Sequence, residues 1–371
     1  MKKISVLLLM VIIMMVFSLT CLAEEWSNYP LQKGEPPVFT SEQLAKMSQE
    51  DFLKIAEEIG PETLIGAQGE GKGFKLAFSQ RGLAGSEWWE NLVRMAKEEA
   101  EWLGAEITII DADRREEKQV TDLLSLLSQK PDALIINPQH PSAVLKALEK
   151  YHAANIPIFV VNSDLDPRGK PVCFVSGDSF DMGYKMGWEL ATECLKRGWN
   201  GEIKALEIAG FPGDLVSKYR RLGIVAGFNE YMFQKEGKCH LNIISQQFGN
   251  WLPEPSMKIT QDVLSAHPDI QVIFAECDGI AQGVVAALEG AGKLGQIIGG
   301  SIDGRKQILK RVIDGHWVVD VMQDPRHQGK WVVYFAIQYL KGNTVPHTFY
   351  IPTPPATKDV AKKYYHPDSM Y

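Results

Sequence analysis

Along most of this chain, short apolar runs alternate with longer stretches in which apolar residues recur every three or four positions. The first series of runs is Phe74–Ser79, Ile107–Asp111, Ala133–Asn137, Ile158–Asn162 and Cys173–Ser176. The second is Ile203–Ile208, Leu241–Ser245, Val272–Ala275, Ile297–Ile302 and Val318–Met322. Helical patterns lie between most of them: Glu87–Leu103, Lys118–Leu127, Ser142–Ala154, Phe180–Lys196, Leu215–Phe233, Ser256–Ala266, Ile280–Ala291, Arg305–Ile313 and Pro325–Leu340. Strands alternating with helices of about 10–15 residues predict βαβ units and parallel sheets. Most runs are apolar throughout rather than every second residue, as expected of strands covered by helices on both faces. Ten such strands fit two sheets better than one.

The ends of the chain depart from this pattern. Lys2 and Lys3 precede a nearly unbroken apolar run, Ile4 to Phe17, and the chain turns acidic at Glu24 and Glu25. That run is short for a membrane span and reads as a signal peptide over residues 1–23, cleaved after Ala23. Cys21 offers an alternative, the acylated cysteine of a lipoprotein, but Ser18-Leu19-Thr20 matches that signal poorly. No later segment is apolar enough to span a bilayer, so a periplasmic or otherwise extracytoplasmic protein is expected. Residues 24–73 read as an extension: a coil broken by Pro30, Pro36 and Pro37, a helix from Ser41 to about Ile59 with Thr40 or Ser41 as cap, and a glycine-rich linker over 66–73. The linker's glycines follow no strand, which argues against a phosphate loop.

Composition narrows the function. Roughly 345 residues remain after the signal, enough for two domains. The chain is 45% hydrophobic and 23% charged with net charge −7, so no basic surplus points to nucleic acid. Cys173, Cys194, Cys239 and Cys277 are scattered without metal-ligand spacing; one disulfide among them is conceivable in an oxidising compartment, with no pair favoured. A GxGxxG after the first strand, a Walker loop, a GxSxG elbow and an HExxH helix are all missing. We therefore expect no catalytic residue, no metal and no cofactor. A glycosidase would need two flanking carboxylates about 5–9.5 Å apart, for which Asp278 and Asp303 are the obvious candidates.

Polar residues collect at the carboxyl ends of the strands, where open α/β sheets bind ligands. Ser79-Gln80, Asn162-Ser163-Asp164, Gly177-Asp178, Asp278, Asp303 and Gln323 all follow apolar runs. Any one of them could be a turn former or a helix cap. Together they offer the mixed donors and acceptors that a neutral polyhydroxylated ligand requires. Trp88 and Trp89 open the first helix of the repeating part, and Trp251 stands in a loop beside Asn250; indole faces stack on the C–H faces of sugar rings, although core packing is the competing role. Two adjacent tryptophans on one helix are not both expected to point inward. Arg220 can present a guanidinium fork to hydroxyl oxygens, whereas Arg221 reads as a surface residue.

From Phe74 to about Pro355 the chain resembles the periplasmic sugar-binding proteins of the ribose/galactose type, the substrate-binding proteins of ABC importers. The resemblance is carried by Phe74-Lys-Leu-Ala-Phe-Ser79 with Trp88-Trp89, Ala133-Leu-Ile-Ile-Asn-Pro138, Ala154-Asn-Ile-Pro-Ile-Phe-Val-Val-Asn162, Arg220-Arg-Leu-Gly223, the segment Leu264 to Ala275, Gly300-Ser-Ile-Asp-Gly304 and Val321-Met-Gln-Asp-Pro325. It implies an α/β fold of two similar doubly wound parallel-sheet lobes joined by a multi-strand hinge, the type I periplasmic-binding fold. Residues 74–177 plus 324–352 would form the N-terminal lobe, and 178–323 plus 353–371 the C-terminal lobe and tail. The family's ligand-binding positions fall on Trp88, Trp89, Asn162, Ser163, Arg220, Trp251, Cys277, Asp278, Asp303 and Gln323. Asn162-Ser163 stands where ribose binders usually carry Asp-Arg, and Cys277-Asp278 where the family has Asn-Asp; both departures point away from ribose. The implied partners are a small sugar or polyol and a membrane ABC permease, with a membrane histidine kinase or chemoreceptor as the alternative, and the protein is expected to act as a monomer. The fold is shared with the effector domains of lac-type repressors, but no helix-turn-helix precedes it here.

Overall fold

The computed structural model describes residues 37–368 and Tyr371. The expected signal peptide with Cys21, and the coil up to residue 36, lie outside the described residues.

Two short helices come first, α1 (Ser41–Lys46) and α2 (Gln49–Glu58), where the sequence pattern predicts one. The break falls at Met47-Ser48 because Ser48 opens a second capping box: its hydroxyl accepts from the Asp51 amide while the Asp51 carboxylate accepts from the Ser48 amide. Thr40 and Gln43 cap α1 in the same way. Then follow β1 (Lys75–Gln80), α3 (Glu87–Leu103), β2 (Glu106–Asp111), α4 (Glu116–Ser128), β3 (Ala133–Ile136), α5 (Leu145–Ala153), β4 (Ile158–Val161) and β5 (Cys173–Ser176). The second series is α6 (Ser179–Lys196), β6 (Ile203–Ala209), α7 (Leu215–Glu236), β7 (Leu241–Phe248), α8 (Pro253–Ala266), β8 (Val272–Ala275), α9 (Asp278–Gly290), β9 (Ile298–Asp303), α10 (Lys306–Ile313) and β10 (Val319–Met322). The chain ends with α11 (Pro325–Leu340), β11 (Thr348–Tyr350), β12 (Pro355–Thr357) and α12 (Ala361–Tyr364).

Two six-stranded sheets result, ordered β11-β5-β4-β3-β1-β2 and β12-β10-β9-β8-β6-β7. Every pairing is parallel except that of β10 with β12. All four residues of β3, of β4 and of β8 are buried, which is why these strands read as continuous apolar runs. The chain crosses between the sheets after β5, after β10 and between β11 and β12. The architecture is thus two parallel-sheet α/β lobes, as the strand–helix alternation predicts.

In the second lobe α6 and α7 cross closely. A Cβ on Gly183, Gly187, Gly223 or Gly227 would overlap the backbone of the opposite helix, so these four glycines permit the approach. In the first lobe α11 packs along α3 and beneath β3, β4 and β5. Against its outer face lies the N-terminal extension. Phe52 meets Trp331, Phe335 and Phe349 edge-on, with ring centroids 6.1, 5.7 and 5.6 Å away. Residues 66–73 are not the loose linker the glycines suggest. The Gly69 and Gly71 amides donate to the Trp102 and Leu103 carbonyls at 3.0 and 2.7 Å, Trp102 Nε1 donates to the Gly66 carbonyl, and Lys341 pairs with Glu70. The glycines are needed here for close approach: a Cβ on Gly66 would meet the Tyr334 ring at 2.9 Å, and one on Gly71 would meet Ile337 at 3.0 Å.

All four described cysteines are free thiols, Cys239 exposed and the other three buried.

Candidate functional site

The carboxyl end of β1 places its polar residues in a buried network rather than in open space. Asn137 Nδ2 donates to Gln80 Oε1 at 3.0 Å, Gln80 Nε2 to the Gly82 carbonyl, and Gln119 Nε2 to the Asn137 carbonyl. This network holds the turn that presents Arg81, whose side chain is almost fully buried. Ser86 then caps α3, accepting from the Trp89 amide at 3.3 Å, and thereby fixes both tryptophans in the first turn. Both are buried and both line one cleft, whereas the sequence reading expects only one of them to point inward. The Trp88 indole N–H donates to the Gln323 carbonyl at 2.9 Å. The Trp89 ring is flanked by the guanidinium groups of Arg114 and Arg81, 4.6 and 5.4 Å from its centroid.

The opposite wall comes from the second lobe. Asn250 and Trp251 both take left-handed backbone angles, φ 55° and 61°, which turn the chain back after β7. The Trp251 ring lies over Gly210, where any Cβ would fall inside the indole, and it meets Phe211 edge-on at 6.3 Å. The Arg220 guanidinium sits 5.6 Å from the Trp251 ring, donates to the Glu276 carbonyl, and lies 3.9 Å from Asp303. Asp303 ends β9 at φ 139°, an unusual angle for a non-glycine residue, and accepts from Gln323 Nε2 at 3.3 Å. Cys277 is the N-cap of α9, its Sγ accepting from the Ile280 amide at 3.4 Å; burial raises its thiol pKa.

Burial also dominates the carboxylates. Asp303 is pushed up to about 7 by desolvation, against the pull of Arg220, and Asp278 to about 6 by the same cause. Asp320, hydrogen-bonded to Asp278, is raised well above the usual range by burial and by its acidic neighbour.

The cleft, a cavity of about 40 Å³ in this closed form, draws on both lobes. Of the expected residues it brings together Trp88, Trp89, Asn162, Arg220, Trp251, Cys277, Asp303 and Gln323. Two expected residues do not line it. Ser163 is buried elsewhere, its amide bonded to the Val161 carbonyl in a tight turn. The Asp278 carboxylate is turned behind the wall, where it accepts from the Gly304 and Arg305 amides at 3.1 and 2.6 Å. It braces the Asp303 turn instead of facing the cleft. Arg81, Ser86, Val216, Gly279 and Arg305 complete the lining and are not among the expected residues. Arg81 and Arg305 each follow a strand end by one or two residues, so the strand-end rule reaches them once it is extended past the first polar residue.

Three nitrogens on the lining residues, Arg220 Nε, Trp251 Nε1 and Arg305 Nε, are buried without a hydrogen-bond partner among the described residues. Stranded donors of this kind cost about 1–3 kcal/mol each unless something accepts from them. The lobes meet around the cleft through Arg81–Asp214 (2.8 Å, both side chains 1% exposed), Arg114 Nη1 to the Asn250 carbonyl (3.0 Å) and Arg305–Glu87 (3.5 Å). The conformation is closed. No group of three or more metal-ligating side chains occurs among the described residues, and no helix among them is long and apolar enough to cross a membrane.

Residues 77–344 match the family model described as a periplasmic binding protein domain. The ribose import binding protein of Bacillus subtilis is 28% identical over 284 residues, covering 76% of this chain and 87% of the relative. Among solved structures, an ABC transporter solute binding protein from Mycobacterium smegmatis with bound glycerol superposes with TM-score 0.72 at 26% identity, over 82% of this chain and 99% of that one. A periplasmic solute binding protein from Actinobacillus succinogenes with bound D-allose gives TM-score 0.70 at 25% identity, over 78% and 100%.

Proposed function

Because the chain belongs to the periplasmic binding protein domain family, we propose that it is an extracytoplasmic substrate-binding protein. It captures a sugar or polyol between its two lobes by hinge closure and delivers it to a membrane ABC permease. The family binds its ligands without transforming them, so the protein is not an enzyme. The observation that carries the reading is the set of stranded donors, Arg220 Nε, Trp251 Nε1 and Arg305 Nε, in a cleft that also holds the Asp303 carboxylate and the Asn162 and Gln323 amides. Ring hydroxyls accept from the former and donate to the latter, which a purely apolar or purely ionic ligand does not do. Trp251 supplies an indole face in the same space, while Trp88, with its N–H tied to Gln323, sets the position of the opposite wall.

The second lobe contributes Arg220, Trp251, Asp303, Arg305 and Gln323, and the first contributes Asn162 and the Trp88–Trp89 wall. The ligand therefore touches both, binds the closed form better than the open one and shifts the population by that difference. The closed form, as a monomer, would then dock on the permease. Relatives named as import binding proteins and solute binding proteins of ABC transporters support the importer over a sensor. A thermal-shift screen over pentoses, hexoses and cyclic polyols tests the reading. A ligand at one hundred times its dissociation constant stabilises by about 2.7 kcal/mol and should raise the melting temperature by several degrees. A flat response across the whole panel contradicts the proposal.

A further inference from the structure

A second cavity of about 270 Å³ opens beside the central cleft and shares Asn162 and Val216 with it. One side comes from the first lobe, Asn162, Asp164 and Tyr350; the other comes from the starts of α6 and α7, with Phe180 and Tyr219. Those two aromatic rings are 43% and 41% exposed, high for residues of their size that face into a concavity. Asp178 spends one carboxylate oxygen on the Phe180 and Asp181 amides, and Asp164 spends one on the Leu165 amide. Among the described residues, neither carboxylate's second oxygen has a donor within hydrogen-bond reach. No cation lines the cavity, and burial together with Asp178 and Asp164 raises the pKa of the Tyr350 phenol that faces them.

Exposed aromatic faces beside free carboxylate acceptors form the same combination that suits a polyhydroxylated ring in the central cleft. We propose that this cavity is a second saccharide subsite, so that the preferred ligand is a glycoside of at least two rings, one in the central cleft and one between Phe180, Tyr219 and Tyr350. The inference rests on the sugar-binding reading of the central cleft and extends it. Like that cleft, the cavity is walled by both lobes, so closure would clamp the second ring as well. Neither Phe180 nor Tyr219 belongs to the central lining or to a hydrophobic core, so both can be truncated without unfolding the chain.

The test is calorimetric titration of the full chain with galactose and ribose and with galactosyl and ribosyl disaccharides, for the wild type and for the Phe180→Ala/Tyr219→Ala double variant. The proposal expects at least one disaccharide to bind about tenfold or more tightly than its free ring. The double variant should lose that advantage while keeping its monosaccharide affinity within about twofold. Monosaccharide binding with no gain for any disaccharide, or equal losses for both ligand classes in the double variant, overturns the second subsite alone. A flat thermal-shift screen across the whole panel of monosaccharides and polyols overturns the central reading as well.

Discussion

Asp303 is held between opposing influences: burial favours its neutral form, and Arg220 at 3.9 Å favours the ion. The balance leaves its pKa at about 7, above the ordinary carboxylate value. A group with a raised folded pKa stabilises the fold when protonated, and that contribution is lost as pH rises from about 4 through about 7. Unligated stability should therefore fall over that window, as Asp278 at about 6 reinforces. Ligand hydroxyls that donate to Asp303 favour the ion, so binding should strengthen over the same range, about tenfold between pH 6 and pH 8, with proton release on binding. Calorimetry in two buffers of different ionisation enthalpy reads both effects, and Asp303→Asn should flatten the profile. At this scale the strand-end pattern made Asn162, Asp303 and Gln323 legible, the aromatic and arginine readings reached Trp88, Trp89, Trp251 and Arg220, and only the family resemblance pointed to Cys277. Asp278, first in a helix after a strand, fits a ligand-facing or a capping role by sequence, and the structure turns its carboxylate behind the wall. Its rotation toward the Gly304 and Arg305 amides depends on the turn that ends the neighbouring strand β9, with Gly304 26 residues further on, which local sequence does not encode.

At the scale of elements, the strands were readable because both sheet faces are covered, so apolar runs and buried positions coincide. The strands β11 and β12, three residues each, carry too little pattern to be seen. The extension was misjudged for a different reason: its glycines signal turns, and nothing local reveals that those turns fit against Tyr334 and Ile337. Its docking has an energetic consequence. Phe52 is 1% exposed among Trp331, Phe335 and Phe349, and Lys330 Nζ, its pKa lowered by burial to about 8, donates to the Gly60 and Thr63 carbonyls. Phe52→Ala should cost about 3–5 kcal/mol in urea unfolding. The helices it touches lie behind the first sheet, so sugar affinity should stay within about twofold; a large loss of affinity would mean that the extension shapes the cleft.

For the molecule as a whole, the Arg81–Asp214 pair joins the lobes with both side chains buried. Such a pair contributes little net stability, but removing one partner leaves a charge without compensation, at about 3–5 kcal/mol. Asp214→Ala should raise the free energy of the closed form and weaken sugar binding several hundredfold or more. Because Asp214 also caps α7, accepting from the Val216 amide, the unligated protein should lose only about 1 kcal/mol of stability. Small-angle scattering at saturating sugar should show the wild type more compact than without sugar. The two-lobe architecture was legible from the doubled series of strands, whereas this latch was not, since Arg81 and Asp214 lie 133 residues apart. The central claim, that a sugar sits against Trp251 between the lobes, is tested most directly by calorimetric titration of Trp251→Ala beside the wild type, using the sugar found in the screen. The account predicts that heat of binding disappears while the variant's circular dichroism and unfolding remain those of a folded protein. An unchanged dissociation constant would contradict it.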